Sequence, residues 1–326
     1  MTGRGRLLAA AAPLAVALSA CSGDPPSTLD PHGPGAARIS TMWWILFVLA
    51  VAVIAVVTGL MLYGIRRKTP PQDDDDAPGI RMIVIGGFVV PAIVLTVLFV
   101  LMVRDLGAES RELDSAEMTI DVIAHQWWWE VRYDDGRIVS ANEVHIPTGQ
   151  QVKMNLTTDD VIHSYWVPQL QAKVDMIPGI VNEIALQADD PGAYRGICGE
   201  FCGVQHAKMQ FIVIAHAPAE FDAWLEREAT VPQTPVDDPG RVAFLGSTCA
   251  GCHRVAGTDA QETLGPDLTH FGSRKTIGAG ALSNTTPNLT DWVLDSQRAK
   301  PGNKMPPSPV TAAELAAIVD YLEGLD

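Results

Sequence analysis

The sequence predicts a multidomain membrane protein: a transmembrane α-helical hairpin, a β-sandwich, and a small C-terminal domain. Three features carry that expectation. Two uncharged apolar runs of 22 residues, Met42 to Tyr63 and Met82 to Val103, stand near the N-terminus. Short segments rich in Val, Ile, Thr and Trp then follow one another from Met118 to His216. Last come a proline-rich acidic stretch and the pentapeptide Cys249-Ala-Gly-Cys252-His253.

The chain has 326 residues, of which 47% are hydrophobic, 6% aromatic and 19% charged, and its formal net charge is -15. Such a polyanion is repelled by phosphate backbones and carries no basic tract, which excludes nucleic-acid binding. A mean hydropathy of +0.13 beside a pI near 4.8 means that the apolar residues are concentrated in places rather than spread over ordinary cores.

Residues 1–20 combine two arginines with a short apolar run and read as a secretory signal. They end in Leu18-Ser19-Ala20 before Cys21, which resembles a bacterial lipoprotein box; that likeness implies that Cys21 becomes the lipidated first residue. Residues 21–41 are then an extracytoplasmic N-terminal segment. The runs at 42–63 and 82–103 are each long enough, at 1.5 Å per residue, to cross a hydrocarbon core of roughly 30 Å. The connector, 64–81, holds Arg66, Arg67, Lys68 and Arg81, so the positive-inside rule puts it in the cytoplasm; Asp73 to Asp76 weigh little in that rule. The hairpin therefore runs out, in and out again, and everything after Val103 lies outside the cytoplasm. Trp43 and Trp44 sit where an interfacial aromatic belt is expected.

Between residues 104 and 230, short segments such as Met118 to Ile123, Gln151 to Leu156, Asn182 to Leu186 and Gln210 to Ile214 alternate with Asp/Gly/Pro turn signals. That spacing predicts an antiparallel sandwich or barrel. Its loop Cys198-Gly-Glu-Phe-Cys202-Gly-Val-Gln-His206-Ala-Lys-Met209 gathers two thiols, an imidazole and a thioether. This is a soft donor set, suited to copper or zinc and not to magnesium or calcium. A structural zinc site and a Cys198–Cys202 disulfide are the competing readings. The spacing of Cys202, His206 and Met209 is like that of a blue-copper loop, and Cys198 adds a thiolate able to bridge a second copper. His163 is the expected second imidazole.

Residues 231–240, around Val-Pro-Gln-Thr-Pro-Val-Asp-Asp-Pro, read as a semi-rigid linker. Within 241–326, Cys249, Cys252 and His253 form a c-type haem attachment motif: two thiols for the two vinyl groups and an imidazole placed as proximal ligand. The competing reading, a thioredoxin-like Cys-x-x-Cys, is opposed by the adjacent His253 and by the absence of a βαβ pattern around it. Met305 is the only methionine after Met209 and so the expected sixth ligand. Thr311 to Leu325 reads as an amphipathic closing helix. The cysteine count closes with one for lipid, two for copper and two for haem.

Four segments, His125-Gln-Trp-Trp-Trp129, Asp160-Val-Ile-His-Ser-Tyr-Trp-Val-Pro168, Lys173-Val-Asp-Met-Ile-Pro-Gly179 and the loop from Cys198 to Met209, resemble subunit II of haem-copper cytochrome c oxidase. The likeness covers roughly residues 40–225 and implies a cupredoxin fold with a binuclear copper centre of the CuA kind. Carried over, Cys198 and Cys202 bridge two coppers, His163 and His206 bind one each, and Met209 and the Glu200 carbonyl complete the site. The Glu200 carboxylate would bind a magnesium ion shared with subunit I. Trp127 matches the family's electron-entry tryptophan, Trp128 stands beside the copper where many members have tyrosine, and Trp129 reads as core. The C-terminal domain resembles small all-α class I cytochromes c, in which the Pro266 carbonyl would orient His253. One departure concerns the glutamate that often opens a proton pathway at the second span: Val84 stands there.

The resemblance as a whole is to the fused-cytochrome, caa-type subunit II, in a bacterial cell membrane. It implies that haem c feeds the copper pair and the copper pair feeds subunit I, where oxygen is reduced to water with proton pumping. The implied partners are subunit I, subunit III and an upstream cytochrome c or quinol-cytochrome c reductase complex. The copper-bearing subunit of a nitric oxide reductase and a freestanding copper-binding lipoprotein are the other two readings.

Overall fold

The structure, a computed structural model, describes residues 26–66 and 77–326. The expected signal segment, Cys21, and the connector residues Arg67, Lys68 and Asp73 to Asp76 lie outside the described residues.

Helix α1 spans Pro34–Arg66 and contains the first apolar run. The second run begins in α2, Ala77–Val84, passes through one π-helical turn at Ile85–Val89, and continues in α3, Val90–Ser115. Pro91 has no N–H to give to the preceding turn. There the helix widens, and the Val90 N–H bonds to the Ile85 carbonyl instead. Side chains such as Ile54, Phe88 and Leu95 stand exposed on both helices, as lipid-facing residues must. Where the helices leave the apolar runs, Arg38 and Glu112 form a bidentate pair, with N···O distances of 2.6 and 2.8 Å.

The sandwich comprises β1 (Met118–His125), β2 (Trp128–Tyr133), β3 (Ile138–Ala141), β4 (Glu143–Pro147), β5 (Val152–Thr158), β6 (His163–Trp166), β7 (Val174–Met176), β8 (Asn182–Leu186), β9 (Gly192–Cys198) and β10 (Gln210–His216). One sheet has the order β3-β2-β1-β5-β8 and the other β4-β10-β9-β6-β7. The pairings of β1 with β5 and of β10 with β4 are parallel, which adds crossovers to an otherwise antiparallel plan. Strict alternation along β5 turns Val152, Met154 and Leu156 inward. Trp129, fully buried, packs on Phe211 and Tyr165 with ring centroids 4.9 and 6.1 Å apart, so it is a core residue. Gly196 makes room for that cluster, because a Cβ there would lie 2.2 Å from the Phe211 ring.

Helix α4, Pro218–Glu228, closes the sandwich with Phe221 and Trp224. The C-terminal domain contains α5 (Pro239–Gly246), the small hairpin β11 (Thr276–Ile277) and β12 (Leu282–Ser283), α6 (Thr286–Asp295) and α7 (Ala312–Glu323). A capping box of Thr311 and Glu314 starts α7, whose Leu315, Ile318, Val319 and Leu322 face a separate core with Phe244, Leu289 and Val293.

The two outer domains are docked on each other. The Gln210 N–H donates to the Ala279 carbonyl at 2.9 Å, and the Lys275 and Thr276 N–H groups donate to the buried Glu143 carboxylate at 2.6 and 3.2 Å. Gly280, at φ +74°, lets the β11–β12 turn come this close, since a Cβ there would sit 2.8 Å from the Gln210 Cβ.

Candidate metal and haem centres

Strand β9 ends at Cys198 and β6 begins at His163, two neighbouring strands of one sheet, so strand pairing alone brings a thiol and an imidazole together. The loop after β9 folds back through a 3-10 turn at His206–Lys208 to deliver Met209 to the start of β10. The resulting cluster is compact. Cys198 Sγ lies 3.8 Å from His163 Nδ1 and 3.8 Å from Cys202 Sγ, and Cys202 Sγ lies 3.8 Å from His206 Nδ1 and from Met209 Sδ. The Glu200 carbonyl oxygen is 3.2 Å from Cys198 Sγ. Both cysteines are free and buried, which disposes of the disulfide.

His163 is fully buried, and its Nε2 is held 2.9 Å from Asp160, leaving Nδ1 toward the sulfurs. Burial would lower its basicity, but the bonds to Cys198 and Asp160 carry it net upward. The Cys202 thiol, with help from His163, holds Cys198 well below the usual thiol range, while the thiolate so formed pushes Cys202 up. A site that already stabilises a buried thiolate, surrounded by imidazoles and a thioether, fits a soft transition metal. The Glu200 carboxylate is exposed and pairs with Lys173 at 3.3 Å.

The second centre is an apolar crevice of about 460 Å³ lined by Cys249, Cys252, His253 and Met305 of the C-terminal domain and by Trp127 and Trp128 of the sandwich. His253 Nδ1 donates to the Pro266 carbonyl at 2.8 Å, which frees Nε2 for a metal. Gly265 leaves space over the ring, where a Cβ would come within 2.7 Å of His253 Cε1. Arg274 Nε and Thr276 Oγ1 are buried without partners, and both residues border the crevice. Paired thiols, an oriented imidazole, a thioether and two unused donors fit a haem, which is an apolar plate with two carboxylates.

Trp127 joins the two centres. Its indole N–H donates to the Cys202 carbonyl at 2.9 Å, and Trp127 also lines the crevice. Trp128 stacks on His125 at 4.4 Å and borders the crevice as well. Sequence reasoning missed three supports of this arrangement. Asp160 was readable in principle, from its i,i+3 spacing to His163. Gln126, whose side chain donates to the Cys202 carbonyl at 2.8 Å, and Lys300, which reaches across from the other domain, gave no sequence signal.

Residues 137–216 match the family described as cytochrome C oxidase subunit II, periplasmic domain, and residues 238–326 match the cytochrome c family. Over 330 residues the chain is 36% identical to cytochrome c oxidase subunit 2 of Alkalihalophilus pseudofirmus, covering 96% of this chain and 94% of that protein. This chain belongs to the cytochrome c oxidase subunit II family. Cytochrome c oxidase subunit 2 of Bacillus subtilis is 29% identical over 98% of this chain and 97% of its own length. The solved periplasmic domain of subunit II from Bradyrhizobium japonicum is 30% identical over 35% of this chain and 94% of that one, with a TM-score of 0.34. As a subunit II with a fused cytochrome c domain, this is the electron-entry subunit of a haem-copper oxidase, an oxidoreductase assembled in a membrane with other oxidase subunits. The subunit II domain, which faces away from the cytoplasm, implies copper of the CuA kind, and the cytochrome c domain implies haem c.

Proposed function

We propose that this subunit II carries electrons serially from its own haem crevice to its own copper loop and then to subunit I, in a bacterial cell membrane. Cys198, Cys202, His163, His206, Met209 and the Glu200 carbonyl would hold the copper pair; Cys249, Cys252, His253 and Met305 would hold the haem. Once bound, each group supplies a one-electron carrier, and subunit I performs the reduction of oxygen to water and the proton pumping.

The chain's own residues have distinct tasks. Asp160 and the Pro266 carbonyl each fix one nitrogen of a histidine so that the other is presented to metal. The thiolate-stabilising surroundings of Cys198 favour loading with copper over hard ions. Trp127 and Trp128 both line the haem crevice, and Trp127 also bonds the copper loop. The Glu200 carboxylate, paired here with Lys173, would turn to a magnesium ion at the seam with subunit I. Cys21 would carry a lipid, and residues 42–63 and 82–103 would span the membrane about a cytoplasmic connector, 64–81. Subunit III and an upstream cytochrome c, or a quinol-cytochrome c reductase complex, complete the expected partners.

The observation that carries this reading is Trp127, whose ring bonds the copper loop and which also lines the haem crevice. The test is oxygen uptake by the purified complex with a small reductant and no added cytochrome c. Activity together with two coppers and one haem c per chain supports the proposal. Zinc in place of copper, or uptake that still requires added cytochrome c, overturns it.

A further inference from the structure

Lys300 is buried, and among the described residues no carboxylate pairs with it. It is 2% exposed, and its Nζ donates to the Trp127 carbonyl at 3.1 Å and to the Gly278 carbonyl at 2.9 Å. One cation thus bonds the backbone of the Trp127 segment in the sandwich and the β11–β12 turn of the C-terminal domain. An unpaired ammonium is costly to bury, so its position is maintained by what surrounds it.

Those surroundings form a strap. On the copper side, Lys208 Nζ donates to the Ala299 carbonyl at 2.5 Å, and Gln205 Nε2 donates to the Pro301 carbonyl. These two residues flank His206, so the carbonyls on both sides of Lys300 are held by the copper loop. On the haem side, Asn303 Nδ2 donates to the Lys300 carbonyl at 2.8 Å, and Asn303 Oδ1 accepts the Met305 N–H at 2.7 Å. Lys304 reaches back across the seam to Asp160 at 3.6 Å. Residues 299–305 therefore run without a break from neighbours of one expected copper ligand to an expected haem ligand.

We infer that Lys300 is a positioning residue for electron transfer: by bonding the Trp127 and Gly278 carbonyls it fixes the haem crevice against the copper loop in one docked geometry. The inference rests on the serial route proposed above. In that step one electron leaves the ferrous haem, which becomes ferric, and enters the oxidised copper pair; no bond or proton changes. Its rate depends on how closely and reproducibly the two sites are held, and small misplacements of reacting groups are expensive.

The experiment compares the intact complex with Lys300→Met, which keeps the length and loses the donors, and with Lys208→Met, an exposed site on the same strap. Anaerobic rapid mixing with a small reductant follows haem and copper absorption separately. The expected result for Lys300→Met is haem-to-copper transfer slower by about tenfold or more. Haem and copper spectra should stay as in the unaltered protein, because no coordinating atom has changed. Lys208→Met should slow transfer in the same direction by a smaller factor. Unchanged transfer in both variants overturns the inference. So does slow transfer accompanied by altered haem or copper spectra, which would make Lys300 merely structural. If the unaltered complex itself passes no electron from haem to copper, it is the proposed route that fails.

Discussion

Around Asp160, five groups converge on one carboxylate: His163 Nε2 at 2.9 Å, the N–H groups of Gln126 and Val161 at 2.7 Å each, the Thr158 hydroxyl at 3.5 Å, and Lys304 at 3.6 Å. Burial alone would raise this carboxyl, but the bonds from His163, Val161 and Gln126 keep it low and ionised. A charged partner on Nε2 makes Nδ1 a better ligand. Asp160→Asn is therefore expected to weaken copper binding by about 10- to 100-fold, the usual cost of losing such a support, measured by copper titration against a competing chelator. Met209 behaves differently. It is fully buried 3.8 Å from Cys202, and leucine has nearly its volume. Met209→Leu should keep both coppers in metal analysis and shift the copper potential in a redox titration, as expected for a weak axial ligand. Loss of copper from that variant would show that the thioether holds the metal rather than tuning it.

Individual elements place these residues by ordinary means. Pairing of β6 with β9 puts His163 beside Cys198, and the 3-10 turn at His206–Lys208 completes the donor set. In the C-terminal domain, α5 crosses α7 at Gly240, where a Cβ would lie 2.0 Å from the Ala317 carbonyl oxygen and 2.5 Å from the Tyr321 Cβ. The obstacle is backbone and cannot swing aside. Gly240→Ala should therefore cost about 1–3 kcal/mol through overpacking, seen as a lower melting temperature of the haem absorption while the copper absorption persists. The sequence told much at this scale. The strands at Met118, Gln151, Asn182 and Gln210 and the helix after Thr311 follow from alternation, turn residues and amphipathic spacing. The π-helical turn before Pro91 was not anticipated, because a hydropathy run reports length and not the local winding of a helix.

At the scale of the whole molecule, the seam between sandwich and C-terminal domain encloses charge. Arg274 is buried in the C-terminal domain, and its charge is felt by Glu143 and Glu228 of the sandwich as well as by Asp267. Burial pushes the Glu228 carboxyl from 4.5 up to about 7, outweighing the opposing pull of Arg274 and Arg227. Its backbone carbonyl meanwhile accepts from His270 Nε2 at 3.1 Å across the seam. A carboxyl whose folded pKa is raised binds its proton more tightly when folded. The stability it contributes is full below 4.5 and is lost as pH rises through about 7. Thermal melting of the detergent-solubilised protein should thus weaken over that interval, and Glu228→Gln should flatten the dependence. An unchanged pH profile in the glutamine variant would mean that Glu228 titrates normally.

The sequence by itself presented the two apolar runs, the soft donor set and the Cys-x-x-Cys-His motif. Apolar length, Cys-x3-Cys-x3-His-x2-Met spacing and Cys-x-x-Cys-His are all local, and covalent or coordination chemistry dictates them whatever surrounds them. Only the tertiary structure decided that Trp127 bridges the two centres, that Asp160 backs His163, and that Lys300 bonds a carbonyl 173 residues away. Those contacts depend on which faces of two separately cored domains meet. A buried lysine that pairs with backbone carbonyls leaves no complementary residue in the sequence to reveal it.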